Sequence, residues 1–193
     1  MQNRARDISA YTFVAADRIL PDANIWLYLY APSSIALPSH LRPAVAAYTS
    51  AWASIVSSGA GVFLDAIIFS EVINRLLDDE WQRVDPPDSR GIRRYRKRKD
   101  FRRSTDYPPA AAAVEQLARL IVAQSQAIDH SFSQWDLDQL LTEFGRGSTD
   151  WNDQLLVENC RHHGLKLLTH DADHVSGGIE VLTANRRLIA ACS

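Results

Sequence analysis

The stretch TDWNDQLLVENCRHHGLKLLTHDADH, residues 149–174, limits the fold more than any other part of the chain. It reads in three parts. Asp150 sits where it can cap a helix, and Asp153 follows three residues later. Leu155, Leu156 and Cys160 then recur at helical spacing, and Gly164 is a natural left-handed stop. The apolar strand Leu165–Leu168 comes next and ends at Thr169 and the acidic turn Asp171-Ala172-Asp173. A helix–glycine–strand unit of this kind implies a parallel sheet joined by crossover helices. In such sheets ligands bind beyond the carboxyl ends of the strands. Asp171 belongs at such an end and Asp153 at the mouth of the preceding helix. The two carboxylates are therefore expected to face one crevice.

The same arrangement recurs upstream. Ile19-Leu20-Pro21-Asp22 is a short strand ending in an acid, followed by an aromatic-rich helix, Ile25–Tyr30. Gly61–Leu64 is a strand that leads into the helix from Asp65 to Leu77, with Glu71 two turns in. On "ILPDANIWLY", "FLDAIIFSEVINRLL" and "DWNDQLLVENCRHHGLKLLTHDAD" the chain resembles the PIN-domain nucleases, whose acids come in this order: Asp22, Glu71, Asp153, Asp171. The most specific part is the eleven-residue step from Asp153 to Gly164 with Thr169 and Asp171 beyond it, and the resemblance spans residues 17–182. It implies a three-layer α/β/α sandwich around a mainly parallel sheet of four or five strands. It also implies a metal-dependent endoribonuclease that leaves a 5′-phosphate and a 3′-hydroxyl on single-stranded or loop RNA. Small members of the family are commonly VapC-type toxins, which form homodimers and pair with a small antitoxin that plugs the acidic site. The Ala-rich helices expected over 41–57 and 109–124 are the natural dimer surface. Two features depart from the pattern. Pro21 falls in a strand, tolerable only at its last position, and the chain is longer than typical toxins because of a basic insertion at 85–107.

That insertion polarises the chain. Residues 90–103 hold nine Lys or Arg and one Asp, a net +8; with −2 for the whole sequence, the rest carries −10. Three readings of the segment stay open: a solvated or disordered insertion, a grip on RNA phosphates, or docking on an acidic partner or the acidic body itself. In the second, Arg93, Arg94, Arg96, Lys97 and Arg98 bind phosphates and Tyr95 or Phe101 stacks on a base. In a variant of the third, the segment is a lid over the acids. The remaining sequence is that of one globular domain over 1–193, with 46% hydrophobic residues and no apolar run near the ~20 residues of a membrane span. The start of the chain lacks a secretory signal and reads as a poorly ordered arm or first turn over 1–16. Cys160 and Cys192 form no disulfide framework. A cytoplasmic location is the simplest expectation. Further strands are expected over 127–132 and 179–182, a helix over 136–144, and a loop over 31–40.

Clustered carboxylates need cations. Two of them about 5 Å apart repel by roughly 3 kcal/mol at an effective dielectric of 20, so such a cluster holds protons or binds metal. Oxygen-only ligands suit Mg²⁺ or Mn²⁺. The expected ligands are Asp22, Glu71, Asp153 and Asp171, with Asp150 and Asp173 as extra acids able to bind a second metal through water, and Asn24 and Thr169 orienting carboxylates or the attacking water. Each acid also has a structural reading. Asp150 and Asp22 can be plain helix caps, Asp153 can serve the helix dipole, and Glu71 can be a solvated charge. The pair His170 and His174 falls on a turn, which argues against zinc. No Ser/His/Asp elbow, P-loop or dinucleotide fingerprint is present. Two other classes remain: a PIN-like RNA-binding or assembly module without turnover, and a structure-specific DNA nuclease with the basic segment as its arch.

Overall fold

The computed structural model describes residues 1–30, 38–147 and 149–193. Most of the loop expected over 31–40, and Ser148 of the turn after the 136–144 helix, lie outside them. One sheet runs through the described chain. Its strands are β1 (Arg4–Asp7), β2 (Arg18–Pro21), β3 (Gly61–Leu64), β4 (Gln126–Ala127), β5 (Lys166–Leu168) and β6 (Glu180–Thr183). They lie in the order β1-β6-β5-β2-β3-β4, and every strand pair is parallel. Eight helices accompany them among the described residues: α1 (Ala23–Tyr30), α2 (Arg42–Ser58), α3 (Ala66–Val84), α4 (Arg98–Arg102), α5 (Tyr107–Ala123), α6 (Leu137–Gly145), α7 (Trp151–His163) and α8 (Arg186–Ala191). The class is α/β, in a layering consistent with helices on both faces of the sheet. The sheet has six strands rather than the four or five expected.

The extra strand is β1, which replaces the loose arm or turn expected there. It carries Arg4, Arg6 and Asp7 because it is an edge, and edge strands favour charges that block further pairing. Arg6 donates to Glu180 across the β1–β6 pair at 3.1 Å. The strand expected over 127–132 shrinks to Gln126–Ala127. Beyond it the chain turns away, and His130 comes within 3.4 Å of the buried Asp65 carboxylate.

The helices begin and end where the sequence chemistry dictates. Asp65 caps α3 by accepting from the Ile68 N–H at 2.8 Å, and Asp150 caps α7 through the Asn152 N–H at 2.9 Å. Gly164 ends α7 at φ 61°, a left-handed conformation that glycine adopts without a Cβ penalty. The core is made by the apolar ends of the central strands, with Ile19, Leu20, Leu167, Leu168, Val181 and Leu182 all fully buried between the helix layers.

Two details of the sheet fix where the acids come together. The chain leaves β2 toward β3 but leaves β5 toward β6, so the strand order reverses between the adjacent strands β2 and β5. Pro21 is the last residue of β2, opposite Leu168, where its missing N–H costs the ladder little. Pairing passes to Asp22, whose N–H donates to the Leu168 carbonyl at 2.9 Å.

Candidate active site

Open parallel sheets bind ligands outside the carboxyl ends of their strands, at the point where strand order reverses. Here that point is an open cavity of about 920 Å³. Six carboxylates line it: Asp22 after β2, Glu71 on α3, Asp150 and Asp153 at the start of α7, and Asp171 and Asp173 after β5. Arg75 is the one cation among the described lining residues. Four separate parts of the chain thus deliver their acids to one space.

Asp22 is the most firmly held. Its Oδ1 accepts from the Ala23 N–H at 2.6 Å, and its Oδ2 accepts from the Thr169 hydroxyl at 2.7 Å and from the Asn24 amide. Thr169 is fully buried. Its hydroxyl also accepts from Asn24 at 3.2 Å and from the Asp171 N–H at 3.0 Å, so one side chain ties Asp22 to the Asp171 turn. Asn24 closes the ring by accepting from the His170 N–H at 3.1 Å. The Asp171 carboxylate then accepts from the Asp173 N–H at 2.9 Å, a tight local turn that sets both acids.

Behind Thr169 stands Tyr48 of α2, fully buried. Its hydroxyl donates to the Thr169 carbonyl at 2.7 Å and accepts from the Ala184 N–H at 2.9 Å. Burial pushes its pKa up to about 12, so it remains a protonated donor. From the other side, Asn3 holds the loop between β5 and β6. Its amide donates to the His174 carbonyl at 3.0 Å, and its oxygen accepts from the Ile179 N–H at 3.0 Å. Gly177 completes this loop; a Cβ there would lie 2.5 Å from a Val157 methyl carbon.

The electrostatics reflect the crowding. Burial raises the pKa of Asp22, and the Asp171 charge raises it further, against the opposing charge of His174 and the hydrogen bonds from Thr169 and Ala23. Burial likewise raises Asp153, with Asp171, Asp150 and Asp22 adding to it and His174 opposing. Glu71 is raised by burial and by Asp22, Asp153 and Asp171, while Arg75 pulls it down. Three acids from three elements therefore feel one another's charge.

No family model and no curated protein matches this chain.

The chemistry open to the site is set by its donors. They are carboxylate oxygens, which suit a hard divalent cation. Among the described residues, no three acidic, histidine or cysteine side chains are gathered tightly enough to enclose an ion as they stand. Like charges lining one space spread apart, and drawing them together needs a cation between them. The donor set fits such an ion; its side chains stand in the spread arrangement.

The residues expected for this site separate into two groups. Asp22, Glu71, Asp150, Asp153, Asp171, Asp173 and Asn24 line the cavity, and Thr169 lies directly behind it. Asp150 caps its helix as well, so its two readings coexist. His170 turns toward Tyr48, with Nδ1 3.2 Å from the hydroxyl, and does not join His174. Arg93, Arg94, Arg96, Lys97 and Arg98 lie outside the cavity. Their segment docks on the body beside the acids and not over them, which corrects the expectation of a lid. Phe101 is buried against Trp81, Tyr95 and Tyr107, so it is not free to stack on a base.

Sequence reasoning misses three participants. His174 is buried with Nε2 3.7 Å from Asp153 Oδ1. Arg75 lies four residues after Glu71, one helical turn along the same face, a spacing that is readable in the sequence. Tyr48 reaches the site only through the packing of α2, and no local pattern marks it.

Proposed function

We propose that this chain is a PIN-type endoribonuclease that hydrolyses RNA phosphodiester bonds with Mg²⁺ or Mn²⁺. The observation that supports this most is the set of six carboxylates from four parts of the chain in one cavity at the strand-order reversal. Asp22, Glu71, Asp153 and Asp171 would hold the cation, with Asp150 and Asp173 acting through water. When bound, a divalent ion acidifies water and neutralises the charge that grows on phosphate oxygens. The protein's own part is positional. Thr169 and Asn24 fix the Asp22 carboxylate, and the Asp171–Asp173 turn presents its acids to the same space. Asp22 keeps acceptor capacity beyond the bonds it already accepts. No side chain serves as a nucleophile in this scheme; water does.

On the same reading the chain is the toxin of a toxin–antitoxin pair. An antitoxin arginine would suit the cavity, because its planar fork matches paired carboxylates. A homodimer would bury Val56 of α2 with Leu120 and Val122 of α5, three exposed apolar side chains on the two Ala-rich helices. No described helix is long and apolar enough to cross a membrane. A second reading, an RNA-binding module without turnover, draws on the spread arrangement of the carboxylates.

The test is cleavage of a mixed single-stranded RNA by purified protein with Mg²⁺ or Mn²⁺, then with EDTA, beside Asp153→Asn. Metal-dependent cutting that the variant lacks is the expected result. A folded wild type that binds no Mn²⁺ and cuts nothing would move the assignment to the binding module.

A further inference from the structure

The basic segment does two jobs with two sets of cations. One set is consumed in docking. The Asp85 carboxylate accepts from the Arg94 and Tyr95 N–H groups at 3.0 and 2.8 Å, and Arg94 pairs with Asp106. Arg98 pairs with Asp78 at 2.5 Å and donates to the Asn74 carbonyl at 2.6 Å. Phe101 anchors the segment from below, fully buried and stacked on Trp81 at 6.0 Å.

The other set is left over. Arg96, Lys97, Lys99, Arg102 and Arg103 are exposed, and none of these side chains has an ion-pair partner among the described residues. Arg96 and Lys97 come just before Arg98, which donates to Asn74, a residue that lines the acidic cavity. Arg75 is also exposed and unpaired among the described residues. It lines the acidic cavity and also a second one of about 380 Å³, which Arg93 lines too. The two spaces therefore meet at Arg75 and run along the exposed face of α3.

The geometry points to a path for single-stranded RNA that runs from the acids past Arg75 to the docked segment, with Arg75, Arg96 and Lys97 binding phosphates on one side of the cut. This rests on the nuclease reading for the place of the cut, though the path itself needs only binding. A flexible single strand suits it. Arg75 lies on α3, and Arg96 and Lys97 lie on the segment docked against it. The carboxylate cavity beside them repels phosphate unless a cation fills it, so the strand must be gripped from outside the acids. Arg75 is a positioning residue here: it would steady the phosphate next to the reacting one and oppose the repulsion from Glu71.

The experiment is fluorescence anisotropy with a labelled single-stranded RNA in Mn²⁺, across a salt series, using Asp153→Asn as the uncut background. On that background we compare Arg75→Ala, Arg75→Lys and the double variant Arg96→Ala/Lys97→Ala. Each phosphate that is no longer neutralised should lower the slope of log affinity against log salt by about 0.7, hence about 1.4 for the double variant. Affinity at low salt should fall about tenfold for the double variant, Arg75→Lys should keep the parent slope, and melting temperatures should not move. Unchanged affinity and slope in folded variants would overturn the path. Competition by a poly-glutamate peptide as strong as that of RNA at equal charge would overturn it in favour of an acidic protein partner. Slopes that fall as expected, beside a wild type that never cuts RNA, would keep the path and end the nuclease reading instead.

Discussion

Two acidic regions lie along α3 and differ in what their charges meet. At its start, Glu71 joins five aspartates around one cavity, with Arg75 the one described cation on the lining. At its end, Asp78 and Asp85, with Asp106 beyond, meet N–H groups and guanidiniums of the basic segment. The acid–base physics runs in opposite directions. Burial and mutual repulsion raise Asp22, Asp153 and Glu71. At Asp85 burial pushes upward too, but the Tyr95 and Arg94 N–H groups, the Trp81 indole and the Arg94 charge hold it below the usual range. Carboxylates that meet guanidiniums and several N–H groups build structure; carboxylates that meet mainly one another are available to a cation from outside. The same residue type thus serves two purposes within one helix length.

The sharpest way to break this contrast is to remove one charge from the unpaired region. Asp153→Asn should reduce metal-dependent RNA cleavage by roughly 10²–10³-fold, the size of losing one well-placed electrostatic group. It should not lower the melting temperature, because the relieved repulsion from Asp171, Asp150 and Asp22 offsets the lost attraction to His174. A clear loss of stability in that variant would place Asp153 in the structural class.

The paired region should respond in the reverse sense. Phe101→Ala removes the aromatic under the docked segment and should cost about 3 kcal/mol in urea unfolding, while Mn²⁺ affinity of the acids stays put. If the variant instead lost metal affinity with stability unchanged, the two regions would not be separate.

A smaller effect tests how the cavity is held. Thr169→Val keeps the shape and removes the hydroxyl that donates to Asp22 and accepts from Asn24 and the Asp171 N–H. Isothermal titration should show Mn²⁺ affinity falling about 10–100-fold, the range for a group that orients a ligand, with Thr169→Ser close to wild type.

The smallest effect is in the pH dependence of stability. A carboxylate raised by folding contributes stability that is present below its unfolded pKa and lost as pH rises through its folded one. In EDTA, Asp22, Glu71 and Asp153 should therefore lower the melting temperature as pH rises above the ordinary carboxylate range. The loss should be on the order of 1 kcal/mol after solvent screening. Mn²⁺ should restore it, and Asp153→Asn should flatten the curve. Asp85 has the opposite sign: its contribution is present above the unfolded carboxylate pKa and lost only as pH falls through its lowered folded value. The docked segment should thus hold at about pH 5 and loosen only in stronger acid. Near-ultraviolet circular dichroism of Trp81 and Tyr95 would track it.

The parts of this protein with a local cause are legible in its residues alone. The α7–Gly164–β5 unit, the caps at Asp150 and Gly164, and the placing of Asp22 and Asp171 just past strand ends all depend on residues within one or two turns of each other. The family resemblance then joins Asp22, Glu71, Asp153 and Asp171 into one set, with Asp150 and Asp173 beside it. The rest needed the folded chain. Strand β1 is polar and pairs only because β6 offers a free edge, so no apolar run announces it. Whether the basic segment covers the acids or docks beside them turns on Asn74, Asp78, Asp85 and Asp106 being in reach of Arg94 and Arg98, and on Trp81 being free to receive Phe101. Those polar partners lie 9 to 24 residues from the cations they meet. The same holds for Tyr48, 121 residues from the Thr169 carbonyl it supports. Local chemistry chooses elements and the residues at their ends; which charges find partners depends on neighbours that exist only once the sheet has brought distant segments together.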